Sequence, residues 1–299
     1  MVLSDNIRGA SLMAASMAAF VLNDALMKLA SSEAPLFQAL FLRGLITTAL
    51  LGALVLWRRE FSLRLPPGQR LILFLRLCGE VGATICFLTA LFNMALANVT
   101  AILQVMPLAV TLGAAIFLRE PVGWRRWSAI AVGFSGVLII VRPGSEGFNE
   151  YSLLALLSVC FVVLRDLSTR RLDVKVPSTL VALLTSVAIT AMGGLMTLQS
   201  DWQSLSDTTM VYLAGASCFL IFGYLFSVMT MRVGEISFVA PFRYTIMIWA
   251  ILLGILVFGD YPDGWTLVGS AVVVLTGIYS FHRERQRRLL AARTPSRNP

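Results

Sequence analysis

The sequence predicts an all-α polytopic membrane protein with ten transmembrane helices, arranged as two inverted five-helix repeats around a central cavity. Three observations lead to this prediction. The chain is 58% hydrophobic and only 13% charged, whereas a soluble domain carries about 25% charged residues. Apolar runs long enough to cross a hydrocarbon layer of about 30 Å recur along the whole length. The order of acidic residues, prolines and glycines in the first half returns in the second half.

Short polar linkers separate the apolar runs, and a run near or above about 18 residues is long enough for one membrane-spanning helix. The ten predicted spans are residues 8–30, 35–57, 71–96, 99–118, 124–141, 151–169, 177–198, 209–231, 236–258 and 264–282. The first run could be a cleaved leader. It continues past Ala19 through Asn23 and Asp24, and its removal would destroy the repeat described below, so we interpret it as a transmembrane helix.

The basic residues lie mainly on one side of these spans, where Lys and Arg mark cytoplasmic loops. This side carries Arg58, Arg59, Arg64, Arg70, Arg119, Arg125, Arg126, Arg170, Arg171, Lys175, Arg283, Arg285, Arg287 and Arg288. The opposite side keeps only Lys28 and Arg142. We therefore expect a multi-pass protein of the bacterial inner membrane with both termini in the cytoplasm. The net charge of +8 then reflects orientation and contact with anionic membrane lipids, and nucleic acid is not expected as a partner.

An internal repeat relates the two halves of the chain. In each half an aspartate precedes a proline by eleven residues and a base follows the aspartate by four: Asp24, Lys28 and Pro35, then Asp166, Arg170 and Pro177. An acid and a base at this spacing share one helix face, so we expect structural ion pairs there. Further along, Asn98–Pro107 corresponds to Arg232–Pro241.

Each half closes with an acidic turn and a glycine-containing helix. The residues are Glu120, Gly133 and Gly136 in the first half, and Asp260, Gly269 and Gly277 in the second. Five spans per repeat is an odd number, so the copies must insert in opposite directions, as in many secondary transporters. The predicted domains are a first repeat at 8–141, a second, inverted repeat at 151–282 and a basic cytoplasmic tail at 283–299.

This pattern resembles the drug/metabolite transporter superfamily, specifically its ten-helix EamA type. The most specific parts of the resemblance are the closing segments, Glu120 to Gly136 and Asp260 to Gly277. The resemblance covers nearly the whole chain. It implies ten helices, cytoplasmic termini, a central cavity lined by both repeats, and transport of small metabolites, often amino acid export. Bacterial aromatic amino acid exporters look like the nearest relatives, but no substrate-contact residue is carried over from them.

Arg243 is the first candidate for substrate binding. It follows Pro241, which favours a kink with freed carbonyls. An arginine that faces lipid costs at least about 2.5–3.5 kcal/mol, so Arg243 should face the protein interior or an aqueous cavity. Two interpretations are open at this point. The guanidinium could hold an anionic group of a substrate, or it could pair with a buried carboxylate.

Other polar and aromatic residues within the spans are also candidates. The substrate-binding set is completed by Tyr244, Gln104, Thr100, Asn23, Tyr224, Phe238 and Trp249. An arginine with aromatic neighbours suits a carboxylate that carries an apolar side chain. The competing interpretation is helix packing and helix–helix hydrogen bonding.

Buried charges form a second candidate group, either a proton-coupling site or a satisfied ion network. Its members are Glu80, Arg43, Arg76 and Asp24. Arg76 and Glu80 share a helix face because they are four residues apart. A Glu80 cluster with Arg43 or Arg76 could change its pairing, and its proton, during transport.

Catalytic and metal sites are not predicted. The four cysteines show no CxxC pair and His282 is the single histidine, so we expect no metal, no cofactor and no enzyme activity. The chain also lacks the sequence of an ATP-driven pump. The predicted function is secondary or facilitated transport of small amino acid-like metabolites, with export as the predicted direction, by a monomer or weak oligomer. The alternatives are an uptake carrier for a nucleoside-like or vitamin metabolite and, more distantly, a membrane-embedded transferase or a non-transporting scaffold.

Overall fold

The computed structural model describes residues 2–57, 68–120, 122–143, 149–173, 176–199, 202–233 and 236–293. Within these ranges the structure is helical and contains no strand. Ten of its segments are long and apolar enough to cross a membrane. This confirms the predicted fold class of an all-helical protein with ten membrane-spanning helices.

The first three spans and the fifth to eighth are single helices. They are α1 (Val2–Ala30), α2 (Leu36–Trp57), α3 (Gln69–Asn93), α6 (Trp124–Val141), α7 (Tyr151–Arg170), α8 (Ser178–Thr197) and α9 (Asp207–Val233). The tenth span is α12 (Gly264–Arg293). Pro35 and Pro177 each stand directly before a helix, α2 and α8, because proline lacks the N–H that a helix interior requires.

The fourth and ninth spans are discontinuous. The fourth consists of α4 (Leu96–Leu103) and α5 (Met106–Phe117), with Pro107 in the first turn of α5. The ninth begins with α10 (Ile236–Val239), passes through a 3₁₀ segment (Ala240–Tyr244) that contains Pro241, and continues as α11 (Thr245–Leu253) and a π-helical turn (Gly254–Phe258). The expected irregularity at Pro241 is therefore present, and Pro107 marks a second one at the corresponding place in the first half.

The main helix contacts join the first half of the chain to the second. Helix α1 packs on α9, α3 on α7, α2 on α8, and α6 on α12, while α4 contacts α11. These contacts pair span 1 with span 8, 2 with 7, 3 with 6, 4 with 9, and 5 with 10. If each span is replaced by the span five positions before or after it, the same set of pairs results. Two inverted repeats would give this arrangement, although their boundaries stay a prediction.

Buried apolar side chains form two main clusters. One surrounds Leu108 and Val273, where α5 and α6 meet α12, and the other surrounds Leu40 and Leu213, where α1, α2 and α9 meet. Small residues let the helices approach closely, as is common in membrane proteins. A Cβ atom added to Gly269 would lie 2.6 Å from the carbonyl oxygen of Gly136, so these two glycines allow α6 and α12 to touch.

Candidate functional site

Glu80 is the central acid of the structure. It lies near the middle of α3 and is 8% exposed. One carboxylate oxygen is 3.3 Å from Nη1 of Arg165 on α7, and the other is 3.6 Å from Nη2 of Arg76 on α3. The close approach depends on Gly79, since a Cβ atom there would lie 2.7 Å from the backbone nitrogen of Arg165. Two guanidinium groups thus compensate a carboxylate that would be costly to bury alone.

The two arginines extend this network to other helices. Nε of Arg165 lies 2.8 Å from a carboxylate oxygen of Asp166, so Arg165 contacts two acids at once. Nη1 of Arg76 donates to the hydroxyl of Thr185 on α8 at 2.5 Å. The network therefore connects α3, α7 and α8.

A second polar group lies between α1 and α2. Nη1 of Arg43 donates to the amide oxygen of Asn23 at 3.1 Å, and the Asn23 amide nitrogen donates to Asp24 at 2.8 Å. Both Asn23 and Arg43 are buried. The hydroxyl of Ser217 on α9 also donates to the Arg43 carbonyl at 3.2 Å. Here a neutral amide connects the arginine to the carboxylate.

Arg243 differs from these arginines in its surroundings. It lies in the 3₁₀ segment of the ninth span and is exposed, and it is the fourth residue of the membrane-spanning segment Ala240–Phe258. Among the described residues it makes no hydrogen bond or ion pair, and its electrostatic neighbours are Asp166, Tyr244 and Arg165. Because exposure of a guanidinium to lipid is costly, we expect the exposed side of Arg243 to face an aqueous space.

Tyr224 on α9 faces the same group of charges. It is 53% exposed, packs edge-on against Phe20 at 5.5 Å and lies within electrostatic range of Glu80 and all three paired arginines. We call the following residues the charged cluster: Asp24, Arg43, Arg76, Glu80, Arg165, Asp166 and Arg243. It holds four arginines against three carboxylates, so the cluster has an excess of one positive charge when all of them are ionised.

The aromatic residues predicted around Arg243 mainly pack against helices. Tyr244 is 5% exposed, and its hydroxyl has no hydrogen-bond partner within the described chain. That hydroxyl abuts Gly277, where any side chain would overlap it. The rings of Phe238 and Phe242 are tilted against each other with their centroids 5.9 Å apart, and Trp249 packs between two apolar clusters. The structure thus places these aromatics beside Arg243 in the chain without forming a cage around its guanidinium.

Thr100 lies within α4 and Gln104 follows this helix at the break before α5, and both are buried. The side-chain nitrogen of Gln104 donates to the Thr100 carbonyl at 3.2 Å. The backbone nitrogen of Gln104 bonds instead to the Ala101 carbonyl. Gln104 therefore satisfies a carbonyl that the broken helix leaves open, which gives it a structural role in this conformation.

The two i,i+4 pairs expected in the repeat motif, Asp24 with Lys28 and Asp166 with Arg170, are wrong. Lys28 does not pair with Asp24; its Nζ lies 3.9 Å from Asp260 and also donates to the Met94 carbonyl. Arg170 pairs with Glu120 at 3.3 Å. Each base pairs instead with the acidic turn that precedes the last span of the other half, Asp260 for Lys28 and Glu120 for Arg170.

The partner of Glu80 was only partly predicted. Its contact with Arg76 is present, but Arg43 contacts Asn23, and the stronger partner of Glu80 is Arg165. The repeat contained a signal for Arg165. When Asp24 is aligned with Asp166, the residue before each aspartate is Asn23 or Arg165, so Arg165 occupies the position of a residue already proposed for the site.

Two further structural features help to define the site. An apolar groove of about 460 Å³ lies between α11 and α12, and Arg243 is not among its lining residues. Exposed Ile248 and Leu267 line it, as expected of a surface that faces lipid. Within the described residues, no group of three His, Cys, Asp or Glu side chains could hold a metal ion.

Comparisons with known proteins agree on the class of function. Residues 7–142 match the EamA-like transporter family. A riboflavin transporter of Vibrio cholerae is 35% identical over 59% of this chain and 59% of its own. An S-adenosylmethionine uptake transporter of Rickettsia conorii is 26% identical over 60% of this chain and 61% of its own. The chain thus spans about three fifths of the length of these relatives.

A longer match gives the same class, and a solved structure gives the same fold. The pseudopaline exporter CntI of Pseudomonas aeruginosa is 27% identical over 87% of this chain and 90% of its own. A solved crystal structure shares the fold, with a TM-score of 0.61 and 19% identity over 91% of this chain and 98% of its own. The names of these relatives differ in substrate and in direction, and what they share is transport of a small molecule.

Proposed function

We propose that this chain, which carries an EamA-like domain of the drug/metabolite transporter superfamily at residues 7–142, moves small amino acid-like metabolites across the bacterial inner membrane. It is a secondary transporter or facilitator that works by alternating access, with both termini in the cytoplasm. Export is the proposed direction, and apolar and aromatic amino acids are among the proposed substrates. It acts as a monomer or weak oligomer in contact with membrane lipids.

One observation carries the proposed substrate class. Arg243 is an exposed arginine inside a membrane span, and among the described residues it has neither an ion pair nor a hydrogen bond. The charged cluster around it has more arginines than carboxylates. A substrate carboxylate would supply the missing negative charge, and a guanidinium binds a carboxylate through two parallel hydrogen bonds.

The other residues have supporting roles in this proposal. Tyr224 is exposed beside the cluster and offers a hydroxyl to the substrate. Asn23 positions Arg43 through a hydrogen bond, and Gln104 donates to the Thr100 carbonyl beside the break in the fourth span. Discontinuous helices near the bilayer centre are frequent binding elements of transporters, because their irregular backbone can line a cavity.

Glu80 is the proposed proton-responsive acid if transport is coupled to protons. It lies between two arginines that belong to different helices, so movement of α7 against α3 would change its pairing. The variant Glu80→Gln removes the titrating group with little change in shape. It should abolish the pH dependence of transport, while a fully pH-responsive variant would exclude Glu80 from coupling.

The proposal is tested by flux of radiolabelled amino acids in liposomes that hold the purified protein. Arg243→Ala should lower the apparent affinity for a transported amino acid by about 10- to 100-fold, as expected when a charged hydrogen bond of about 1.5–3 kcal/mol is lost. Arg243→Lys is the matched variant, since it keeps the charge and loses the paired hydrogen bonds. It should give an intermediate affinity. Unchanged flux in Arg243→Ala would indicate that Arg243 has a structural role and does not bind the substrate.

The second candidate is an uptake carrier for a vitamin or nucleoside-like metabolite. It is favoured by the names of two relatives, a riboflavin transporter and an S-adenosylmethionine uptake transporter. The same liposomes would distinguish it, because riboflavin and S-adenosylmethionine can be included in the panel. Flux of either compound without amino acid flux would support the second candidate.

A further inference from the structure

Two ion pairs at opposite faces of the bundle occupy equivalent positions in the two proposed repeats. Lys28 pairs with Asp260 at 3.9 Å, and Arg170 pairs with Glu120 at 3.3 Å. In both repeats the base stands four residues after the aspartate of the repeat motif. In both pairs the acid comes from the turn between the last two spans of the other repeat.

The two acidic turns have the same backbone geometry. Gly259 and Arg119, which precede the acids, both have a left-handed conformation, with φ values of 68° and 54°. The N–H of each acid then donates to the carbonyl six residues earlier, at 2.9 Å for Asp260 and 3.3 Å for Glu120. These bonds span one residue more than the 6→1 bond of a Schellman cap, and together with the left-handed residue they bring each acid back over the end of its helix.

The pairs differ in how firmly they are held. Lys28 and Asp260 have side-chain exposures of 15% and 38%, whereas Arg170 and Glu120 are both 49% exposed. Lys28 also donates to the Met94 carbonyl and lies 5.3 Å from the ring centroid of Phe258. Three elements are thus joined at the Lys28 face, while a single solvated pair joins two elements at the other face. Solvated pairs contribute little, and buried ones are costly to break from one side.

We propose that these pairs are two alternating latches: the Lys28 latch (Lys28 and Asp260, with Met94 and Phe258) and the Arg170 latch (Arg170 and Glu120). Each latch ties one end of the bundle across the two repeats, and opening of a face requires its own latch to break. Both latches are formed in this conformation, and the Lys28 latch is the less exposed and has more partners. The inference rests on the proposed function and adds to it the residues that close each face of the bundle.

The test is side-specific labelling of a cysteine in the central cavity. Tyr224→Cys serves as the reporter in a protein whose four native cysteines are replaced by alanine. A membrane-impermeant thiol reagent is applied to right-side-out and to inverted vesicles. Lys28→Met should raise the labelling rate from the Lys28 face by at least about threefold, and Glu120→Gln should raise it from the opposite face by a smaller factor.

Two controls make the outcome decisive. The charge swap of Lys28→Asp with Asp260→Lys should restore the original labelling pattern. Glu150→Gln removes an exposed carboxylate from the Lys28 face and should leave labelling unchanged. The latches would be overturned if a variant changed the labelling rate equally from both faces, or if folded Lys28→Met and Glu120→Gln variants showed no change in labelling rate. Because the measurement is accessibility rather than flux, failure to transport amino acids would overturn the proposed substrate and not the latches.

Discussion

The two proposed repeats place different side chains at equivalent positions, and the difference is clearest beside their aspartates. Asn23 precedes Asp24 in the first repeat, and it connects that acid to Arg43 by hydrogen bonds. Arg165 precedes the aspartate of the second repeat and binds two carboxylates directly. Under the proposed repeat, the location of a polar position is the same in both halves, while the residue at that position decides whether it forms a neutral bridge or an ion pair.

The largest effect is expected from removing the charged member of this pair. Arg165→Met leaves Glu80 with a single arginine at 3.6 Å, so we expect a loss near the lower end of the about 3–5 kcal/mol typical of broken buried pairs. Asn23→Ala removes a neutral acceptor and should cost about 1–3 kcal/mol. Unfolding of the purified protein in mixed detergent micelles measures both values.

A control on the same network sharpens this comparison. Asp166 is 37% exposed, so Asp166→Asn should cost less than either substitution. Equal losses for Arg165→Met and Asn23→Ala would contradict the difference between the repeats that the structure indicates.

A second, smaller effect compares the two acidic turns. Gly259 has a φ of 68° and nothing within 4 Å of an added Cβ atom, so Gly259→Ala should cost about 1–2 kcal/mol through backbone strain alone. Arg119 already bears this strain at a φ of 54°. Arg119→Gly should therefore be neutral or stabilising by up to about 1 kcal/mol. In the same measurement, Gly259→Ala should lower the free energy of unfolding and Arg119→Gly should leave it unchanged or raise it. A lower free energy of unfolding in both variants would mean that the turns are not equivalent.

The smallest effect concerns Glu33, in the loop after the first span. Hydrogen bonds from the hydroxyls of Ser206 and Thr209 and from the Ser206 N–H lower the pKa of Glu33 below its ordinary value. A lowered pKa in the folded state stabilises the protein above the unfolded-state pKa, and this contribution disappears as the pH falls through the folded-state pKa. The aligned residue of the second repeat is Lys175, which lies outside the described residues.

Comparison of Glu33→Gln with the parent chain tests this contribution. The parent should be slightly more stable at neutral pH, and the difference should shrink on acidification. A difference that grows toward low pH would have the wrong sign for a carboxylate held in its ionised form.

Most of the fold was predictable from local properties of the sequence. Apolar length alone located the ten spans, and Pro241 indicated the irregular ninth span. The break at Gln104 was not predicted, because Pro107 is also compatible with an intact helix that begins there. Helix ends are equally hard to place from composition, as α12 shows by continuing to Arg293 beyond the predicted end.

The site was less predictable because its contacts cross between helices. Spacing along one helix predicted the contact of Arg76 with Glu80, which the structure contains. The same rule failed for Lys28, since an acid from a distant turn, Asp260, lies closer than the acid on its own helix. Contacts such as Arg165 with Glu80 depend on how α3 and α7 are rotated and where Gly79 lets them approach. Sequence spacing within one helix carries no information on that rotation.

The central claim is that Arg243 holds a substrate carboxylate, and a matched pair of compounds tests it most directly. Phenylalanine and phenylalaninamide differ only in whether the carboxylate is present or replaced by a neutral amide. Competition by each compound for amino acid flux in liposomes should favour phenylalanine by about 10- to 100-fold in the parent protein, and this preference should vanish in Arg243→Ala. An equal preference in both proteins would contradict the claim, as would riboflavin or S-adenosylmethionine flux that phenylalanine does not inhibit.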